Sequence, residues 1–482
     1  MNPHYDVLII GAGLSGIGMA CHLALESPAT RFAVLERRQA IGGTWDLFRY
    51  PGIRSDADMF TFGYSFRPWN SLKTLADGES IRQYIADTAR EHGVDNKITF
   101  GLKTTKACWS SADRLWTVHA LNEVTGETLA YTCRFLIPCT GYYSHDAGYL
   151  PEFPGLQRFE GTFVHPQQWP ENLDYKGKRV LIIGSGATAV TLVPAMAQDA
   201  AHVTMLQRSP SYVINVPGDD RLSGLLRHFL PESWVFNLAR KRNIWLQRAI
   251  YKASRRWPRL MRRWLLSGVR KQLGEGVDMR HFTPSYMPWD ERLCAVPDGD
   301  LFRVLRERKA SVVTDHIETF TERGILLKSG VVQEADIIIA ATGLKLEALG
   351  GTELYIDGER QATNTRMTYK GVLAQDMPNI GWIFGYTNAP WTLKSDLASH
   401  YLCRLLNHMR TKGFEVVIPR APASEMDSES VMDSMCSGYV QRGAAILPRQ
   451  GRHIPWRVLN DFKLDTDLLL RQPVEDDALE FS

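Results

Sequence analysis

The stretch "YDVLIIGAGLSGIGMACHLAL", Tyr5 to Leu25, decides the fold. An aliphatic run from Val7 to Ile10 predicts a buried strand, and the apolar residues beyond Gly16 predict a helix. Between them stand Gly11, Gly13 and Gly16 in a G-x-G-x-x-G turn. Gly11 permits the tight turn, Gly13 has no side chain to block a pyrophosphate, and Gly16 lets helix and strand approach closely. The free amides and positive dipole end of the helix then face the phosphates. A second strand, "RFAVLE", ends in Glu36, twenty residues after Gly16. An acid there accepts hydrogen bonds from both hydroxyls of an adenosine ribose. The stretch is apolar enough to imitate a signal or membrane helix, but it holds four glycines and His22, and Asp6 stands where a signal peptide needs positive charge. No other run approaches about 18 apolar residues, so no membrane span is expected.

The pattern recurs in "KRVLIIGSGATAVTLVPAMA". A strand ending at Ile183 leads into Gly184-Ser185-Gly186-Ala187-Thr188-Ala189 and then a helix. The following strand, "HVTMLQRSP", ends in Gln207, Arg208 and Ser209, with no acid. An acid would repel a 2′-phosphate, whereas a guanidinium pairs with it bidentately, so NADP(H) is expected here in preference to NAD(H). A plain surface arginine at a strand end is the alternative.

Two further strands end in tight turns, "CRFLIPCTG" at Gly141 and "EADIIIAATG" at Gly343, and they bracket the second nucleotide unit. The expectation is an α/β chain with two nested Rossmann-like dinucleotide-binding domains and a helical insert. The boundaries expected are residues 1–141 and 342–482 for the first dinucleotide-binding domain, 149–218 and 287–341 for the second, and 219–286 for the insert. A chain of 482 residues with 44% hydrophobic content has ample core for this. Its seven cysteines form no C-x-x-C pair, which points to a reducing compartment and to core packing. A net charge of +3 gives no reason to expect nucleic acid. No metal site is expected.

Between these landmarks lie "GGTWDLFRYPGIRSD" (Gly42 to Asp56) and "FEGTFVHPQQWP" (Phe159 to Pro170). The latter fits F-x-G-x-x-x-H-x-x-x-W-P through Phe159, Gly161, His165, Trp169 and Pro170. With these segments the chain resembles the type I Baeyer–Villiger monooxygenases over nearly its whole length. It is most similar to the ethionamide-activating subgroup, which "RLCAVPDGDLFR" and "GYTNAPWTLKSDL" also resemble.

The resemblance implies FAD and NADPH as cofactors, which makes the first and second dinucleotide-binding domains the FAD- and NADP-binding domains, and O2 as co-substrate. It implies insertion of one oxygen atom beside a ketone carbonyl through a C4a-peroxyflavin, giving an ester or lactone, with sulfoxidation of thioethers or thioamides as a side activity. The alternatives are an N- or S-oxygenating flavin monooxygenase and, remotely, a non-catalytic nucleotide-binding protein at a membrane. By resemblance, Arg292 in "PWDERLCAVP" is the catalytic arginine that stabilises the peroxide anion and contacts NADP. Asp56 matches an acid beside the flavin that orients it. Glu291 stands where many relatives carry Lys, leaving Arg208 as the main 2′-phosphate determinant. Ser15, Thr44, Trp45, Asp46, Leu47 and Thr104 are assigned to FAD, and Arg54 and Ser55 join Ile183 to Ala189, Gln207, Arg208 and Ser209 on NADP. Asn388 and Trp391, with Lys394, are assigned to the substrate side. His165, between Gly161 and the stiff "PQQWP", reads as a latch between moving domains.

Residues 236–273 hold twelve Lys or Arg and no Asp or Glu, so the rest of the chain sums to −9. Arg248, Lys252, Arg255, Arg259 and Arg262 share one helix face, while Leu246, Ile250, Ala253, Trp257 and Met261 share another. Pro258 is expected to kink the run or open a second helix. The apolar side either packs inward beneath solvated cations or meets an anionic membrane surface. The location expected is cytoplasmic, with peripheral contact at the inner membrane surface as an option.

Overall fold

The computed structural model describes residues 3–291, 293–433 and 438–482. β1 (His4–Ile10) runs into α1 (Leu14–Glu26) through the first glycine turn. β1 lies parallel to β2 (Phe32–Leu35) on one side and to β6 (Thr128–Pro138) on the other. A central parallel strand is covered on both faces, which is why Val7 to Ile10 is continuously apolar. Gly16 is obligatory on steric grounds, since a Cβ there would sit 1.8 Å from the Gly11 carbonyl oxygen. Gly11 has φ +103°, and its own Cβ would meet the Cys139 carbonyl oxygen at 2.8 Å.

After β2 come the short α2 (Thr44–Leu47) and α3 (Met59–Phe62), then α4 (Gly78–Glu91), whose first turn is capped by Asp77. β3 (Ile98–Thr99) pairs with β2, and β4 (Leu102–Ser110) and β5 (Leu115–Asn122) meander antiparallel into β6. The chain then leaves this sheet. β7 (Thr162–Val164), β8 (Arg179–Ile183), β9 (His202–Gln207), β12 (Ala310–Thr314) and β16 (Ile337–Ala340) form a second, wholly parallel sheet in the order β12-β9-β8-β16-β7. α5 (Ala187–Met196) follows its glycine turn. A parallel pair, β10 (Val213–Val216) and β11 (Cys294–Pro297), a helix α9 (Asp300–Arg306), and a meander of β13 (Ile317–Thr321), β14 (Gly324–Leu327) and β15 (Val332–Glu334) complete this lobe. The chain returns as β17 (Glu353–Ile356) and β18 (Glu359–Gln361), giving a first sheet of order β18-β17-β4-β5-β6-β1-β2-β3.

The outward and return crossings lie side by side. Ser144 N–H donates to the Lys345 carbonyl (2.8 Å), Tyr149 N–H to Gly343 (3.0 Å) and Glu347 N–H to Tyr142 (3.1 Å), while the Thr342 hydroxyl donates to the Tyr149 carbonyl (2.6 Å).

The basic segment forms α7 (Glu232–Arg256) and α8 (Pro258–Leu273), preceded by α6 (Arg221–Leu226). Pro258 opens a second helix, because its missing N–H costs nothing in a first turn. Of the expected solvated row of cations, Lys252, Arg255 and Arg259 are exposed and Arg248 and Arg262 are partly buried. Arg248 and Lys252 reach Asp461 at 2.8 and 3.6 Å, Arg255 reaches Asp290 at 2.9 Å, and Arg262 donates to the Pro284 carbonyl at 2.7 Å. Of the five, Arg259 alone is exposed with no such partner among the described residues. Among the described residues no helix is long and apolar enough to cross a membrane. Five of the six described cysteines are buried thiols.

A buried polar chain staples the insert to the first lobe. Arg240 of α7 donates to the carbonyls of Phe60 (3.0 Å) and Gly63 (2.6 Å) and reaches Asp396 at 3.3 Å. Asp396 lies on α10 (Trp391–Lys412); it accepts from Ser65 N–H and contacts His22 Nε2 at 3.4 Å. His22 Nδ1 bonds Glu26 at 2.7 Å, and Glu26 also meets His400 Nδ1. Burial alone would lower the His22 pKa, but its hydrogen bonds to Asp396 and Glu26 outweigh that and raise it to about 9. The unfolded chain releases this proton near pH 6.5, so the charged His22 contributes its full stability below that pH. The contribution is lost as pH rises toward 9. Urea unfolding of the wild type should therefore show a falling midpoint between pH 6.5 and 9 that is missing in His22→Gln. Parallel pH profiles for the two proteins would refute this.

Candidate active site

Both glycine turns open on one cavity of about 1230 Å³ between the two sheets. A single drug-sized ligand fills roughly 300–1,000 Å³, so this space accommodates more than one ligand. Gly11, Gly13 and Ser15 line it from the first turn. α1 has no side-chain cap, which leaves its first amides available to a ligand. Glu36 lies at the end of β2 with its carboxylate held by the N–H groups of Ala12 (2.5 Å) and Arg38 (2.7 Å). Burial raises its pKa, and those two amides oppose the shift. Thr104 is buried beside it on the lining and shares a hydrogen bond of 2.9 Å with Thr352.

The 42–56 segment divides. Thr44 and Trp45 line the cavity, and the Thr44 and Tyr143 hydroxyls share a hydrogen bond. Asp46 is turned away, clamped by Arg38 (2.7 Å) and Arg49 (2.5 Å), and Leu47 packs into the apolar cluster of Tyr143 and Leu346. Ser55 is buried and caps its own turn through the Ala57 N–H and carbonyl. Asp56 is exposed on the cavity wall. Arg54 also lines it, paired at 2.5 Å with Asp300 of the second lobe, with both side chains about 85% buried.

In the second turn a Cβ on Gly184 would meet the Ala341 carbonyl oxygen at 2.5 Å, whereas one on Gly186 would meet nothing within 4 Å. Gly186 and Ala187 are exposed, Ala187 and Thr188 line the cavity, and Ile183 and Ala189 are buried. α5, like α1, has no side-chain cap. The Ser185 hydroxyl donates to the Ser209 carbonyl (2.9 Å) and shares a bond with Ser211 (3.0 Å). Arg208 and Ser209 are exposed. Gln207 is 2% exposed, and its amide is committed to the His281 carbonyl (2.7 Å) and Thr314 (2.8 Å), so it ties the end of β9 to its neighbours. Glu291 lies close enough for Arg208 to oppose the upward pKa shift that burial imposes on it. Arg292 lies outside the described residues.

His165 lines the cavity from the outward linker. Its ring packs on Gly148, where a Cβ would come within 1.8 Å of it, and Nδ1 accepts from Gln167 N–H at 3.2 Å. Nε2 is buried without a hydrogen-bond partner. Burial lowers its pKa, and the neighbouring backbone of Gly343 and Tyr149 opposes the shift. Gln167 and Gln168 donate to the carbonyls of Ser144 (2.8 Å) and Asp146 (3.2 Å), docking this segment on the outward crossing.

From the C-terminal part, Trp391 stacks on Tyr142 (5.2 Å, 22°) and donates from Nε1 to Ser15 at 2.8 Å. Asn388 donates to the Asn460 carbonyl (2.9 Å), leaving Oδ1 buried without a partner. Lys394 does not reach the cavity: it is buried against Asp465 at 2.7 Å, beside Tyr386. The sequence reading had no role at the site for Asn243, Gln247 or Trp289, which also line the cavity. Leu246 and Ile250 are there too, and their apolar spacing on α7 was the signal for this wall.

Residues 5–349 match the family model described as flavin-binding monooxygenase-like. The chain belongs to that family. It is 61% identical over 486 residues to the FAD-containing monooxygenase MymA of Mycobacterium tuberculosis H37Rv, covering all of this chain and 98% of that one. It is 48% identical over 484 residues to the FAD-containing monooxygenase EthA of the same strain, again covering 100% and 98%. Among solved structures, an oxidised steroid monooxygenase bound to NADP shares its fold with a TM-score of 0.78 at 21% identity over 99% of both chains. An open form of cyclohexanone monooxygenase gives 0.72 at 21%, over 87% of this chain and 90% of that one. The protein is a flavin-dependent monooxygenase.

Arg54 and Asp300 join the two lobes at the cavity wall, and removing one partner strands the other charge. Asp300→Ala should cost about 3–5 kcal/mol in urea unfolding. A loss within 0.5 kcal/mol, the usual range for surface changes, would show that the pair does not hold the lobes.

Proposed function

We propose that FAD lies along the first turn, NADP(H) along the second, and that the enzyme inserts one oxygen atom next to a ketone carbonyl, giving an ester or lactone. Sulfur oxidation of thioethers is the side activity. The observation that carries this is the meeting of both glycine turns, Asp56 and His165 on the wall of one cavity.

The residues fit both nucleotides. Gly13 lines the cavity and has no side chain to stand in the way of a pyrophosphate. The buried Glu36 carboxylate is preset by two amides to receive ribose hydroxyls. At the second turn the exposed, uncapped start of α5 and the exposed Arg208 suit a phosphate-rich ligand. Reduced flavin, once bound, supplies the activation of O2.

The chain's own task is to position and to exclude. Trp391, locked between Tyr142 and Ser15, walls the C-terminal side against water. His165, packed on Gly148 at the cavity wall, acts as a hydrogen-bonding latch between the lobes and not as a proton donor. Asp56 orients the cation at the site, and Arg292, by its place in "PWDERLCAVP", supplies the fixed positive charge that a developing oxyanion requires. Arg208 pairs with the 2′-phosphate.

Incubating the FAD-loaded enzyme with NADPH, O2 and a panel of linear, cyclic and aryl ketones and thioethers should give ester or lactone products heavier by one oxygen atom. Oxygenated thioethers with no ketone product would sink the Baeyer–Villiger assignment. Arg292→Ala should keep NADPH-driven flavin reduction yet lose ester formation; ester yield at the wild-type level removes its role. Arg208→Ala should raise the KM for NADPH about 10- to 100-fold and leave that for NADH unchanged, since a charged hydrogen bond contributes about 1.5–3 kcal/mol. Equal effects on the two would refute 2′-phosphate recognition.

A further inference from the structure

The helical insert presents an outer surface that neither nucleotide turn uses. Eighteen large apolar side chains are exposed among the described residues, and nine of them, the cavity-lining Leu246 set aside, lie between Leu222 and Trp264. They include all the exposed tryptophans: Trp234 (64%), Trp245 (67%), Trp257 (58%) and Trp264 (54%). On α7, Trp234, Leu238, Lys241 and Trp245 recur at four, three and four, which is one stripe. From Trp257, at the junction of α7 and α8, Leu260 and Trp264 follow along α8 at three and four. A soluble monomer seldom concentrates so much aromatic surface in one place.

The cations of the same segment fall into two sets. Arg240, Arg242, Arg248, Lys252 and Arg255 pair with Asp396, Asp220, Asp461 and Asp290, and Arg262 donates to the Pro284 carbonyl. Lys241, Arg256, Arg259, Arg263, Arg270 and Lys271 are exposed and make no ion pair among the described residues. These six are engaged within the protein. The outward set lies among the exposed tryptophans, with no acid anywhere from 236 to 273. Rings with one polar edge, interleaved with unpaired cations, match a surface that is apolar below and anionic above.

We propose that this face docks on an anionic lipid bilayer, with the tryptophans of α7 and α8 entering the headgroup region and Lys241, Arg256, Arg259 and Arg263 meeting lipid phosphates. The proposal does not depend on which substrate is oxygenated. The opposite side of α7 forms the cavity wall through Gln247 and Ile250, so a docked molecule holds its cavity one helix away from lipid.

The FAD-loaded full chain should co-sediment with phosphatidylcholine vesicles containing phosphatidylglycerol and stay in solution with phosphatidylcholine alone. Binding should weaken as salt rises. Each cation removed is expected to cost about fivefold in partition, so Arg256→Gln/Arg259→Gln/Arg263→Gln together should lose about a hundredfold. Trp234→Ser/Trp245→Ser should also lose binding to anionic vesicles. Retained flavin absorbance in both variants shows that they are folded. Equal partition into the two vesicle types, no partition at low salt, or wild-type partition of the triple variant overturns the proposal. So does a wild-type dimer that both variants dissociate while no vesicle binding occurs, which would make the face an interface between copies of this chain.

Discussion

Two contacts of bare backbone set the geometry on which the rest depends. The first turn presses Gly11 against the Cys139 carbonyl, and the second presses Gly184 against the Ala341 carbonyl. In each case the strand touched is the one by which the chain passes to the other lobe. A side chain at either glycine would push the turn off its crossing. The glycines cost conformational entropy on folding, and the continuously apolar strands around them offset it by burial. Each turn is thereby fixed to the connection between lobes as well as to its own sheet, which is why both open on one cavity.

The cavity is built from five separate parts of the chain. The two turns supply uncapped helix starts, the segment 42–56 supplies Thr44, Trp45 and Asp56, and the C-terminal part returns Trp391 to Ser15 across 376 residues of sequence. α7 completes the wall. No one part would enclose the space, and the buried chain from Arg240 through Asp396 and His22 to Glu26 holds α7 in place to do so.

What was legible in the sequence was what is local. Glycine spacing, strand hydrophobicity and the acid at Glu36 are decided within about thirty residues, and both nucleotide turns stand as expected. The charged residues were harder, because their partners are distant. The row of Arg248, Lys252 and Arg255 looked solvent-facing from helical periodicity; Lys252 and Arg255 are exposed, but nothing local announced their ion pairs with Asp461 and Asp290. Lys394 sits in a segment that reaches the site, but Asp465 draws it into the core. Gln207 stands at a strand end where a nucleotide contact is natural, and Thr314 and His281 engage it instead. Periodicity tells which residues share a face; it does not tell what that face meets. The cavity wall on α7 was visible as an apolar spacing, without any local sign that it bordered a space and not a packed core.

The side-by-side crossings have a mechanical consequence. A single peptide tether between two bodies leaves them free to swivel about it. Here two tethers run together and are cross-bonded at Ser144, Tyr149, Thr342 and Glu347. Such a doubled ribbon bends across its thin direction and resists twisting, as a leather strap does beside a cord. Any relative motion of the lobes is thereby confined to bending of this ribbon, and the Arg54–Asp300 pair is a second tie between the same two lobes, at the cavity wall.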